Sequence, residues 1–146
     1  RPSEEKSAIP QIAGKDEIPA AGFLFEPGKA MMKAGGYNML CSRFCLKKLG
    51  RSTHYYIGGD DLKESVVTEL HGHGKTFRIL ECDSLDKRSI KRIAAMYPKA
   101  EVTARNLPMD TDTLRKKLGT VSSDTYHIFG LKSDTAGNLL LVTTRQ

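Results

Sequence analysis

Three cysteines and four histidines are the side chains of this sequence best suited to ligate a metal or attack an electrophile. Cys41 and Cys45 lie four residues apart, a spacing that could bring two thiolates to one metal, with His54 or the His71-Gly-His73 pair as further candidate ligands. An all-cysteine tetrahedral site needs four thiols, and Cys82 is the only other one. Cys41 and Cys45 also share an apolar stripe with Leu40 and Phe44, where a free cysteine behaves as a small hydrophobe. Core thiols are therefore the expectation, and no metal site is assigned. Cys82 ends an expected strand with nothing beside it in sequence to lower a thiol pKa, so it too is expected in the core. Gly58-Gly59-Asp60-Asp61 follows a strand-like run but lacks the glycine spacing of a nucleotide loop, and reads as a turn. There is no phosphate-binding loop, no Gly-x-Ser-x-Gly and no His-Glu-x-x-His. No residue is assigned as catalytic or cofactor-binding.

What remains is positive charge. The chain of 146 residues carries 23 Lys and Arg against 17 Asp and Glu, a formal net charge of +6. The whole excess sits between Lys29 and Arg51, where Lys29, Lys33, Arg43, Lys47, Lys48 and Arg51 occur without an acid. Solvated faces usually mix signs, so an acid-free stretch points towards an anionic partner. Three expected helices carry basic groups: Arg43, Lys47 and Lys48; then Lys87, Arg88, Lys91 and Arg92; then Arg115, Lys116 and Lys117. Phosphate contacts from such groups give salt-sensitive binding with weak sequence preference. Tyr55 and Tyr56 could stack bases, or could equally be core or edge-strand residues.

The elements that must position these groups follow from pattern. Residues 1–20 hold three prolines and no periodicity, as a linker or tail would. Gly22–Glu26 reads as a strand, and Pro27 suits the first turn of a helix to about Ala34, broken by Gly35-Gly36. Tyr37, Leu40, Cys41, Phe44, Cys45 and Lys48 form one helical stripe, with Gly50 as the stop. Thr53–Ile57 is strand-like, and residues 60–74 are ambiguous by pattern. Then come a strand over Thr76–Cys82, a helix over Asp86–Tyr97 and a strand over Glu101–Arg105. A helix capped by Asp110 and ended by Gly119 follows, with strands at Thr125–Leu131 and Leu139–Thr144. Leu139-Leu-Leu-Val142 does not alternate, as expected of a strand covered on both faces. This β-α-β-α-β-β order predicts an α+β fold with helices packed on a mixed sheet.

No apolar run approaches membrane-spanning length, and the start lacks both a signal peptide and an initiator Met, so a fragment of a longer protein without a membrane partner is expected. An odd cysteine count favours a reducing, cytoplasmic setting.

Two stretches carry a family resemblance. Phe25-Glu-Pro-Gly-Lys-Ala-Met-Met-Lys-Ala-Gly-Gly-Tyr37 with Ser52-Thr-His-Tyr-Tyr56 is the first; Val102-Thr-Ala-Arg-Asn-Leu-Pro-Met-Asp-Thr-Asp-Thr-Leu-Arg-Lys-Lys-Leu118 is the second. Together they resemble the C-terminal region of a bacterial family of class I S-adenosylmethionine-dependent methyltransferases, in which a ferredoxin-like domain precedes a THUMP-like domain. The sequence departs from that pattern at Ser122-Ser123, where glycines are expected, and at Thr144, where a cysteine is common. The resemblance implies a ferredoxin-like unit over 21–70 and a THUMP-like unit over 71–146, with 1–20 leading from an absent methyltransferase domain. It implies RNA binding, of tRNA by expectation, for that domain, with S-adenosylmethionine bound in the parent enzyme and not in this chain. The residues expected at the RNA are Arg43, Lys47, Lys48, Arg88, Lys91, Arg92, Arg115 and Lys116, all as phosphate contacts. Arg105 joins them, and Arg105-Asn106 could offer more specific hydrogen bonding to a base or the RNA terminus. The alternative is a structural or dimerisation module of the same enzyme.

Overall fold

The computed structural model describes residues 12–19, 21–33 and 37–146, leaving aside the side chains of 32, 33, 37–39 and 41. The order along the chain is β1 (Ala21–Pro27), α1 (Lys29–Lys33), α2 (Tyr37–Phe44), β2 (Lys47–Gly50), β3 (Thr53–Gly59) and α3 (Glu64–His71). It continues with β4 (Gly74–Ser84), α4 (Lys87–Met96), β5 (Glu101–Arg105), α5 (Thr111–Leu118), β6 (His127–Ser133) and β7 (Gly137–Arg145). The strands form one seven-stranded sheet in the order β2-β3-β1-β4-β7-β6-β5. Neighbouring strands of this sheet run antiparallel except β5 with β6. The fold is α+β with a mixed sheet, and its second half has the expected β-α-β-α-β-β order.

The capping chemistry of that half explains why the sequence reads well there. Asp86 accepts the Ser89 amide at 2.8 Å while Ser89 Oγ accepts the Asp86 amide at 3.0 Å, satisfying two amides at the start of α4. Asp110 accepts the Thr113 amide at 2.8 Å to start α5. Gly119, at φ 68°, ends that helix in the left-handed region, and its amide donates to the Arg115 carbonyl at 2.8 Å. The helix lies so close to β6 that a Cβ at Gly130 would come within 2.7 Å of Leu107 and Leu114.

The first half differs from expectation. The helix expected to run from Tyr37 to Lys48 stops at Phe44, because Cys45 adopts φ 58° and turns the chain into β2. Cys45 consequently leaves the apolar stripe and is exposed, not a core thiol. Lys47 and Lys48 belong to a strand, not to a helix face. Pro27 closes β1 instead of opening a helix, and residues 60–74, ambiguous by pattern, hold α3. Part of the expected linker is tied down. Ala13 donates to the Lys48 carbonyl at 2.8 Å, its own carbonyl accepts from Thr135 Oγ1 at 2.7 Å, and Ala13 and Ile18 are buried. The linker expected over residues 1–11, and the helix end and Gly35-Gly36 break expected at 34–36, lie outside the described residues.

Burial divides the sheet into an inside and an outside. Leu139 and Leu141 join Leu24, Tyr55, Ile57, Phe77, Phe129 and Leu131 in an inner cluster. Leu140 and Val142 point the other way, into an outer cluster with Ile93, Leu114, Leu118 and Ile128. Neighbouring strand residues face opposite sides, so the unbroken apolar run of β7 serves both. A second outer cluster, of Phe25, Leu40, Phe44, Leu46, Tyr56 and Leu70, lies beneath α2 and α3.

The inner cluster draws on both halves because the sheet curls until its ends meet. Asn106 Nδ2 donates to Thr53 Oγ1 at 3.1 Å, and the Asp134 amide donates to the Leu49 carbonyl at 3.1 Å. The Arg51 amide returns to Asp134 Oδ2 at 2.9 Å. β4 bridges the halves, pairing first with β1 and then with β7 across a bulge at Leu80, which leaves that leucine exposed. Among the described residues, no helix is long and apolar enough to cross a membrane.

Candidate nucleic-acid interface

The ten residues expected at the RNA do not form one surface. Arg43 pairs with Glu69 at 2.8 Å, and Lys47 pairs with Glu17. Lys48 is 4% exposed and its Nζ donates to the Arg51 carbonyl at 2.9 Å, so it cannot reach a phosphate. Arg92 turns onto β4, holding Glu81 at 2.6 Å and Asp83 at 3.0 Å, and Arg115 holds Asp112 at 2.7 Å within its own helix. Two cations of the acid-free stretch, Arg43 and Lys47, therefore meet acids that arrive from elsewhere in the chain, and a third, Lys48, is buried. Tyr55 and Tyr56 are buried and unavailable for stacking: the Tyr55 ring meets Phe129 edge-on at 5.5 Å, and Tyr56 lies in the outer cluster beneath α2 and α3.

Free positive charge collects instead between α4 and α5. Lys87 and Lys91, one turn apart on α4, face Lys117 of α5 across a groove of about 400 Å3 floored by Ile90 and Ala94. Among the described residues, no carboxylate lines it. Arg88 and Lys116 are exposed on the same two helices. The groove is rigidly placed, since Ile93, Leu114 and Leu118 bury the undersides of both helices in the outer cluster. Of the ten expected residues only Lys91 lines it. Lys87 and Lys117 were visible as basic positions, and the i, i+4 spacing of Lys87 and Lys91 was the available signal; the approach of Lys117 depends on helix packing.

Arg105 and Asn106 stand at a second place, the seam where the sheet ends meet. They line a cavity of about 410 Å3 with Glu26, Thr53, His54 and Tyr55. Asn106 holds φ 59°, a left-handed conformation that asparagine tolerates, and the hydrogen bond its side-chain amide donates to Thr53 Oγ1 clamps the seam. Arg105 Nη1 donates to the Ala104 carbonyl at 3.1 Å. The Tyr55 hydroxyl donates to Glu26 Oε2. Burial, and then that hydrogen bond, raise the Tyr55 pKa far beyond its usual range, so the phenol stays protonated. Burial, and then the nearby Lys48 charge, lower the His54 pKa and favour a neutral ring.

Glu26 also borders a neighbouring cleft of about 320 Å3 that holds Lys75, Phe77, Glu101, His127 and Arg145. His127 stacks on Phe129 with ring centres 4.1 Å apart and lies 2.7 Å from Thr103 Oγ1. Burial lowers its pKa most; Glu26 and Glu101 oppose that shift, while Lys75 and Arg145 add to it. Nothing in the local sequence marked Glu26 or His127, because their setting comes from strands far apart in the chain.

Burial, with Asp83 adding to it, pushes the Cys82 thiol up to about 11, so it is protonated at neutral pH. The Cys41 side chain lies outside the described residues. No group of three potential ligands stands close enough to hold a metal ion among the described residues. The side of Gly58 that a side chain would occupy is filled by Leu46 and Leu62, so this turn does not fit the open glycine loop of a cofactor site.

Comparison with known proteins agrees with this architecture. A ferredoxin-like domain family matches residues 23–64, and a THUMP domain-like family matches residues 74–145. No curated protein sequence matches the chain. The crystal structure of a proposed methyltransferase from Porphyromonas gingivalis W83 superposes with a TM-score of 0.78 at 24% identity, covering 98% of this chain and 33% of that one. At that identity the likeness is one of fold, and the chain spans about a third of that protein's length. The chain thus joins a ferredoxin-like domain, over residues 23–64, to a THUMP-like domain, over residues 74–145.

Proposed function

We propose that this chain docks structured RNA, tRNA by preference, for an S-adenosylmethionine-dependent methyltransferase domain that lies outside it. The observation that carries the reading is the acid-free groove of Lys87, Lys91 and Lys117 on the THUMP-like domain, a domain type commonly associated with RNA binding. Three ammonium groups around a shallow apolar floor can follow a phosphate backbone, and compact ammonium charges need no fixed base geometry. The role is positional: RNA held here is presented to chemistry performed elsewhere, and the cofactor belongs to that other domain. The methyltransferase part draws on the fold likeness to the Porphyromonas gingivalis protein.

The test is tRNA binding by the 146-residue chain across a salt series. Neutralising about three phosphates gives a slope of log K against log salt between about −2 and −3. Absence of binding at low salt, or binding unchanged when the three lysines are reversed in charge, overturns the reading. A protein-docking module is the second reading, favoured by Met96 and Val121, which are exposed by 55% and 63%, the Val121 amide donating to the Pro98 carbonyl two residues after Met96. That reading requires a stable complex with the methyltransferase domain which Met96→Glu with Val121→Glu weakens.

A further inference from the structure

The cavity at the sheet seam combines features that the lysine groove lacks: a carboxylate, a guanidinium and a side-chain amide around a half-open space of about 410 Å3. We propose that this cavity receives one unstacked nucleobase and selects guanine, with Glu26 accepting from the N1 and N2 edge and Arg105 donating to O6 and N7. As the natural ligand is then a base within bound RNA, the inference deepens the RNA-docking reading and rests on it for that ligand.

The walls are built for this in both halves of the chain. Glu26 stands near the end of β1, and the Tyr55 hydroxyl, donating to Oε2, orients its carboxylate. Each carboxylate oxygen carries two lone pairs, so accepting from Tyr55 still leaves both oxygens able to accept from a ligand. On the other wall, Arg105 ends β5 with one guanidinium nitrogen held by the Ala104 carbonyl, which leaves further N–H groups to donate. Asn106 spends its amide nitrogen on Thr53, so its amide oxygen remains to accept. His54 contributes an imidazole wall.

The four bases differ in how they meet a carboxylate opposite a guanidinium. Guanine presents two adjacent donors, N1–H and the N2 amine, on one edge and two adjacent acceptors, O6 and N7, on the next. The acceptor pair is the arrangement that arginine reads bidentately. Adenine and cytosine place a ring acceptor where the carboxylate would sit. Uracil offers one donor between two carbonyls. Each of these leaves a lone pair facing a carboxylate or a donor unmatched, which is how a polar site rejects a near-isostere. The loop that carries Arg105 and Asn106 leads into α5, whose opposite end carries the Lys117 of the groove.

The test is an NMR titration of the 146-residue chain with the four nucleoside 5′-monophosphates, following the amide signals of Tyr55 and Asn106. Guanosine monophosphate is expected to shift them at concentrations lower than the other three require by on the order of tenfold, within the range of one good bidentate pair. Glu26→Gln keeps an acceptor for Tyr55 and so spares the fold, yet replaces half the carboxylate with a donor. Arg105→Lys keeps the charge and loses the fork. Both are expected to abolish the preference while leaving the rest of the spectrum in place. Equal response to all four nucleotides, shifts confined to α4 and α5, or a preference that survives both substitutions would overturn the assignment. The two readings fail separately: guanine preference without tRNA binding retains the pocket and sinks RNA docking, whereas tRNA binding without base preference does the reverse.

Discussion

Two basic regions of this protein, both read from sequence as RNA contacts, differ in which of their cations the fold ties down. Between Lys29 and Arg51 six basic residues occur without an acid, yet Arg43 and Lys47 are paired and Lys48 is buried. The segment from Asp86 to Lys117 mixes both signs along the chain, yet α4 and α5 leave three lysines around a groove that no carboxylate lines. The acids that pair with Lys47 and Arg43, Glu17 and Glu69, are 30 and 26 residues away from them. In the second, Asp86 and Asp110 are occupied as helix caps and Asp112 holds Arg115. Charge density along a chain is therefore a poor guide to charge density on a surface, because folding chooses which charges meet.

Reversing single charges separates the two regions. The largest effect is expected at Lys48→Glu, which would bury a carboxylate facing the Arg51 carbonyl; a loss of about 3–5 kcal/mol in urea unfolding is the outcome. A loss below about 1 kcal/mol would mean that Lys48 is solvated and returns it to the candidate RNA surface. Next comes the combined Lys87→Glu, Lys91→Glu, Lys117→Glu chain, expected to weaken tRNA binding tenfold or more and to flatten its salt slope. Its thermal midpoint should stay within a few degrees of the parent, as exposed positions allow.

Protonation offers a milder probe of the sheet seam. Burial lowers the pKa of His54 and His127 in the folded chain, so the unfolded chain takes up these protons first as pH falls. Stability is fully present well above the unfolded histidine value of about 6.5 and declines as pH drops below it towards the folded values. Urea midpoints at pH 7.5 and 5.0 should therefore differ, and His127→Gln should shrink the difference. An unchanged difference would remove His127 as a contributor. The smallest effect is expected for Arg43→Ala with Lys47→Ala. Both pairs are solvent-exposed, so stability should fall by less than about 1 kcal/mol, and tRNA affinity should change by less than about twofold. A tenfold loss of affinity would restore the acid-free stretch as the RNA contact and reverse the comparison.

Legibility followed the same divide. From Thr76 onwards, caps, stops and apolar periodicity lie within a few residues of each other, and Asp86, Asp110, Gly119 and the Leu139–Val142 run all behave as their local chemistry implies. From Tyr37 to Gly50 the helical stripe was real in sequence but ended early, since the positive φ at Cys45 serves the pairing of β2 with β3. That pairing is a tertiary demand, and a 3.6-residue period cannot reveal it. Of the candidate site, Arg105, Asn106 and Lys91 were named from sequence, while Glu26, His54 and Lys117 take their place only through packing.

By itself, the sequence determined the α+β class, the helix boundaries of the second half and the two-sided burial of β7. Those properties depend on residues within one or two turns of each other, or on side-chain alternation along one strand. The tertiary structure alone decided which cations remain free, that Ala13 and Ile18 join the inner core, and that Glu26 meets Arg105 and Asn106 across a seam. The physical reason is that pairing, burial and enclosure are properties of distance in space, and the curl of the seven-stranded sheet sets those distances between residues up to 122 positions apart.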